Sequence, residues 1–127
     1  MPNLGRLSCA VAVALGLTFS QAELAAEEPG KCGAPGLPAC PLQQWMRTHA
    51  AAPLAQRSLP EVVRAFEKIE ALNPTPDKWQ NWSKIARDGA AAARDGNAKR
   101  AKSACGRCHR AYRRAYNMHH RTRSISE

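Results

Sequence analysis

From residue 41 to residue 117 the apolar side chains recur at helical spacing, and nowhere does a period-two run grow long enough for a strand. That periodicity restricts this stretch to helices packing against helices. Four segments emerge between punctuating residues. The first, 41–52, puts Leu42, Trp45, Met46 and His49 on one stripe; Pro41 suits an opening turn, while Pro53 should break or kink the helix. The second, 60–72, gathers Val62, Ala65, Phe66, Ile69 and Leu72 on one face, with Ser58 as a cap and Asn73-Pro74 as a stop. Thr75 and Pro76 open a third, carrying Trp79, Trp82, Ile85, Ala86, Gly89, Ala90 and Ala93 until Asp95-Gly96 ends it. Asn97 caps the fourth, 98–117, whose inward positions are Ala101, Ala104, Cys105, Cys108, Tyr112, Ala115 and Tyr116.

Four amphipathic helices on short turns predict an all-α fold, an antiparallel four-helix bundle. Its core is thin in large apolar residues, and the small residues over 89–93 would let a neighbouring helix or a flat cofactor come close to the backbone. A bound apolar group would supply the missing volume, so the chain without it is expected to fold poorly.

Ahead of the bundle, Arg6 precedes an apolar run over 7–19 and the small-residue cleavage pattern Ser20-Gln21-Ala22, as in a signal peptide. The expected organisation is a signal peptide over 1–22, a loop-rich leader over 23–40, the helical domain over 41–117 and a basic tail over 118–127. The run is too short to cross a bilayer, so an exported, periplasmic protein without a membrane span is expected. Cys9 lies near the start of the run, whereas the cysteine of a lipoprotein signal follows it. Losing the signal peptide removes Arg6 and lowers the formal charge from +9 to +8. It leaves Cys32, Cys40, Cys105 and Cys108, an even set that suits an oxidising compartment. Cys32 and Cys40 flank a short Gly- and Pro-rich loop that can close as a disulfide; two free thiols or an intermolecular bridge are the alternatives.

Cys105-Gly106-Arg107-Cys108-His109 is the C-x-x-C-H arrangement by which a c-type haem is attached. On one helical turn two sulfurs can reach two vinyl groups, and the adjacent imidazole can reach the iron. Zinc held by Cys105, Cys108, His119 and His120 competes, but a structural zinc organises a turn-rich knuckle rather than a continuous helix. A thioredoxin-type redox pair belongs beside a βαβ unit, which this pattern lacks.

With the motif on its last helix, the chain over 41–116 resembles the class II cytochromes c, which include cytochrome c prime and its low-spin relatives. The similarity is greatest over 90–113, through Asp95-Gly96-Asn97 and Cys105-Gly106-Arg107-Cys108-His109-Arg110-Ala111-Tyr112-Arg113. It departs from the pattern in having eight residues between Gly96 and Cys105 and in the interruption at Pro53. The resemblance implies one covalent haem, His109 as an iron ligand, Tyr112 packed beside the haem, Arg113 as a basic group on its proximal side, and a homodimer. It also implies that the first helix covers the opposite face. Met46 there as a ligand gives an electron carrier; His49 lies one turn further on. With no ligand, a pocket lined by Trp45, Met46 and Trp82 would bind small gases such as NO or CO. No nucleophile and base pair or paired carboxylates suggest an enzyme.

Residues 96–126 carry nine Lys or Arg and no Asp or Glu. This field predicts an acidic redox partner steered by charge. Export and the haem motif weigh against nucleic acid, and a plain solvated helix face is the alternative to both.

Overall fold

In the computed structural model, residues 31–126 are described. The apolar run over 7–19, the cleavage pattern and the first part of the leader lie outside the described residues. Among those described there are helices and no strand. The order is α1 (Pro41–Met46), a π turn (Arg47–Ala51), α2 (Ala52–Ala55), α3 (Leu59–Ala71), α4 (Gln80–Arg94) and α5 (Ala98–His119).

The expected break at Pro53 does not occur. Proline has no N–H to give to the carbonyl four residues back, and its ring crowds that carbonyl. The helix answers by widening, so that the Ala52 N–H bonds Arg47 O five residues earlier and Pro53 enters as the second residue of α2. α2 then ends in a Schellman turn, with Arg57 N–H to Leu54 O (3.3 Å) and Ser58 N–H to Pro53 O (2.9 Å). Arg57 takes the left-handed position there (φ 56°), a place usually held by glycine.

The caps follow the sequence with two adjustments. Ser58 sits at the start of α3, but its backbone carbonyl rather than its side chain receives Glu61 N–H and Val62 N–H, both at 3.1 Å. α4 begins at Gln80 because Thr75 O collects Lys78 N–H and Trp79 N–H in a preceding turn. At its far end Gly96 (φ 75°) closes a second Schellman turn, and the Asn97 side chain then accepts Arg100 N–H at 2.9 Å to start α5.

The core is built by three antiparallel neighbours. Phe66 of α3 lies over Gly89 of α4, Trp82 donates from Nε1 to Ile69 O at 2.6 Å, and Arg87–Glu70 and Arg94–Glu67 pair across the rim. Of the two occupants the small residues at 89–93 allow, Gly89 accommodates the neighbouring helix. On α4's other side Trp82 packs on Tyr112 and Tyr116 of α5, while Ala101 and Ala104 are fully buried. The π turn and α2 pack on α3.

α5 runs two residues past its expected end, to His119, and the chain beyond it is docked. His120 lies edge-on to Trp79, and the Arg123 guanidinium donates to Leu72 O at 2.7 Å, satisfying a carbonyl at the end of α3. Ile125 packs against the core. No helix among the described residues is long and apolar enough to cross a membrane.

Candidate functional site

Between α1 and α5 the structure leaves a cavity of about 610 Å³. That volume is in the range of small-molecule and cofactor sites. α5 supplies Cys108, His109, Tyr112, Arg113 and Tyr116 at helical spacing, so one face of one helix forms a wall. Leu42, Met46 and Arg47 line it from the first helical segments, with Trp82 of α4 also contributing.

Met46 therefore shares this cavity with His109, and His49 does not. His49 is exposed and stacks on Trp45 (5.1 Å between ring centroids) beside a different hollow, against Pro53, Ala65 and Lys68. The π turn explains the separation. In an α-helix His49 would follow Met46 on nearly the same face, but each residue of a wider turn advances less around the axis, leaving His49 rotated away. Trp45, expected to line an open pocket with Met46 and Trp82, faces the second hollow instead.

Cys105 is not part of the cavity wall. It lies one turn before Cys108, half-buried against the helical core, and neither cysteine is in a disulfide. Burial pushes the Cys105 thiol up. Cys108 is pushed up to about 11, first by burial and then by the nearby Cys105 charge. His109 is held below its ordinary value by burial and then by the Arg113 guanidinium, which favours neutral imidazole with a free lone pair. Tyr112 is shifted upward, chiefly by burial.

The charged lining is wholly basic. Arg47, Arg113 and Arg121 enter the cavity wall, no Asp or Glu does, and none of the three arginines takes part in an ion pair among the described residues. By contrast Arg107, within the motif, is turned outward onto Asp88 at 3.3 Å. Arg107 and Lys84 together hold the Asp88 carboxyl below its ordinary value, with the Lys84 hydrogen bond the largest cause. The cavity thus offers apolar walls, an imidazole, a thioether facing it and three guanidinium groups.

The pairing of Cys32 with Cys40 is present as a disulfide. Its location was not legible from spacing: Cys32, Gly33 and Cys40 line the cavity. Arg47 and Arg121 were likewise missed. Arg47 adjoins Met46 in sequence, but Arg121 reaches the site only because the chain turns after α5. His119 and His120 lie at the end of α5, more than two turns beyond Cys108. Among the described residues no three His, Cys, Asp or Glu assemble as a metal cluster, so the zinc alternative lacks its donor set. Comparison of the chain with protein-family models, curated proteins and solved structures finds no match.

Proposed function

We propose that this chain is an exported c-type cytochrome, a periplasmic electron carrier with one haem attached through Cys105 and Cys108. The observation that carries the reading is that Cys108 and His109 line a cofactor-sized cavity with Met46 on a facing segment. The donor set suits haem: two adjacent thiols on one turn, a neutral imidazole beside them, apolar walls from Leu42, Trp82 and Tyr112, and cations for the two propionate carboxylates that haem carries.

Haem, when bound, supplies a one-electron iron couple, with a potential set by its axial ligands and surroundings. The chain's own residues have separable tasks. Cys105 and Cys108 would fix the group to α5, Cys108 from the cavity wall and Cys105 from one turn before it. His109 would hold the iron through a ring nitrogen. Met46 would offer a soft sulfur, which favours the reduced metal. Leu42, Trp82 and Tyr112 exclude water, while Arg47, Arg113 and Arg121 offset the carboxylates. On the outer face of α5, the exposed Lys99, Arg100, Lys102, Arg110 and Arg114 provide a field for an acidic redox partner.

The test is to produce the chain with haem-attachment machinery and run a pyridine haemochrome assay. Covalent haem supports the reading, and its absence removes it. A reduced spectrum unmoved by carbon monoxide supports Met46 as a ligand and the carrier function; a high-spin spectrum that shifts on adding the gas overturns the carrier in favour of gas binding.

A further inference from the structure

We propose that the disulfide-closed loop, residues 32–40, determines which ligands can enter the cavity. The sulfurs of Cys32 and Cys40 do more than join two points of a leader: both residues and Gly33 between them form part of the cavity wall. Cys40 is anchored. It is buried at the start of α1, with its N–H donated to Gln43 Oε1 at 3.3 Å.

Cys32 is bonded directly to that anchor, with the two Cα atoms 4.9 Å apart. Its Sγ is 3.9 Å from Arg121 O, just after α5. A disulfide sulfur has no proton to donate, so this is packing contact rather than a hydrogen bond. The disulfide therefore sits between the start of α1 and the segment following α5, at one end of the cavity.

The disulfide holds the loop to that point covalently. Residues 33–38 are exposed, and their backbone bonds, Gly33 N–H to Pro38 O (2.7 Å) and Leu37 N–H to Ala34 O (3.0 Å), stay within the loop. They shape the loop without tying it to the helices. Gly33 holds a left-handed conformation (φ 78°), and a Cβ there would stand 3.0 Å from Cys40 Sγ. The close passage of backbone over sulfur is thus specific to glycine. Breaking the disulfide removes the covalent tie between Cys32 and the anchored Cys40, so this part of the wall can move while Cys40 stays on its helix.

The optical part of the test rests on the haem reading. In the ferric holoprotein, imidazole association is compared between the parent and the Cys32→Ser, Cys40→Ser double variant, after haemochrome assays of both. Faster association, on the order of tenfold for loss of a short-loop disulfide and local opening, is expected. Hydrogen exchange provides a readout that needs no haem: amides at 41–46 and 117–121 should exchange faster in the variant, while those of α3 and α4 keep their protection. Unchanged imidazole rates and unchanged exchange overturn the proposal. If neither protein carries haem, the haem reading fails and exchange alone decides the role of the loop. If the double variant does not accumulate, Gly33→Ala, which retains both sulfurs but disturbs their packing, is expected to accelerate both readouts; parent-like values overturn the proposal.

Discussion

Replacing Gly89 with alanine sets two known magnitudes against each other. In a helix interior alanine is favoured over glycine by about 1 kcal/mol, so an uncrowded site would gain stability. Gly89 is crowded. A Cβ built there would stand 2.7 Å from Phe66 Cδ1 and run into Cε1 and Cζ. Phe66 is buried between α3 and α4, with Val62, Ile69 and Trp82 in the same core, so its ring can yield only by moving its neighbours or separating the helices. Overpacking of this kind costs about 1–3 kcal/mol, which outweighs the propensity gain at the upper end of that range. Because the contact falls on a ring wedged between two helices, the upper end applies, leaving a net loss of roughly 1–2 kcal/mol. For a domain of this size the melting temperature should fall by roughly 5–10 °C. Thermal and urea unfolding followed by circular dichroism measure the loss. In a Phe66→Leu background the same substitution should cost less, because the smaller side chain vacates the contact. A Gly89→Ala protein as stable as its parent, or the same cost in both backgrounds, would refute the packing argument.

Other residues give independent checks. Arg57→Gly should raise stability by about 0.5–1 kcal/mol in urea unfolding, since it removes a side chain from a left-handed position. Arg123→Ala should lower it by about 1 kcal/mol by leaving the Leu72 carbonyl without its charged donor. In chain produced without haem, Cys108 should alkylate with a midpoint near pH 11 where the fold is retained. With its pKa raised, the folded Cys108 holds its proton longer, so this contribution to stability is complete below the unfolded thiol's range and is lost as pH rises through about 11. An alkylation midpoint in the ordinary thiol range would show that the haem-free chain does not keep this fold. In the holoprotein Met46→Ala should create carbon monoxide binding in a reduced spectrum that previously lacked it, while His49→Ala should leave the spectrum unchanged; the reverse pattern would reject the assignment of the facing residue.

The parts legible in the sequence are those governed by neighbours along the chain. Val62, Ala65, Phe66, Ile69 and Leu72 share a face because helical spacing puts them there, and all five are buried. Asn97 could be read as a cap, and Gly96 as a stop, from local backbone chemistry. Pro53 shows where such reading ends. The missing N–H is certain from sequence, but whether a helix breaks, bends or widens depends on what each outcome lets it pack against. That choice also settled the relation of Met46 to His49, which sequence spacing treated as neighbours on one face. Arg121 and the Cys32 loop belong to the same site through contacts between distant parts of the chain, for which no local pattern exists.

The π turn therefore links an isolated proline to the chemistry proposed for the site. It keeps the first helix continuous through α2, so Leu42 and Met46 remain on a segment braced against α3, while His49 turns toward Trp45 and away from the cavity. Of Met46, His49 and His109, Met46 and His109 line the cavity and His49 does not. A thioether opposite an imidazole stabilises reduced iron relative to a pair of imidazoles. On the haem reading, widening one helical turn would bias the site toward a higher-potential carrier by determining which side chain is within reach.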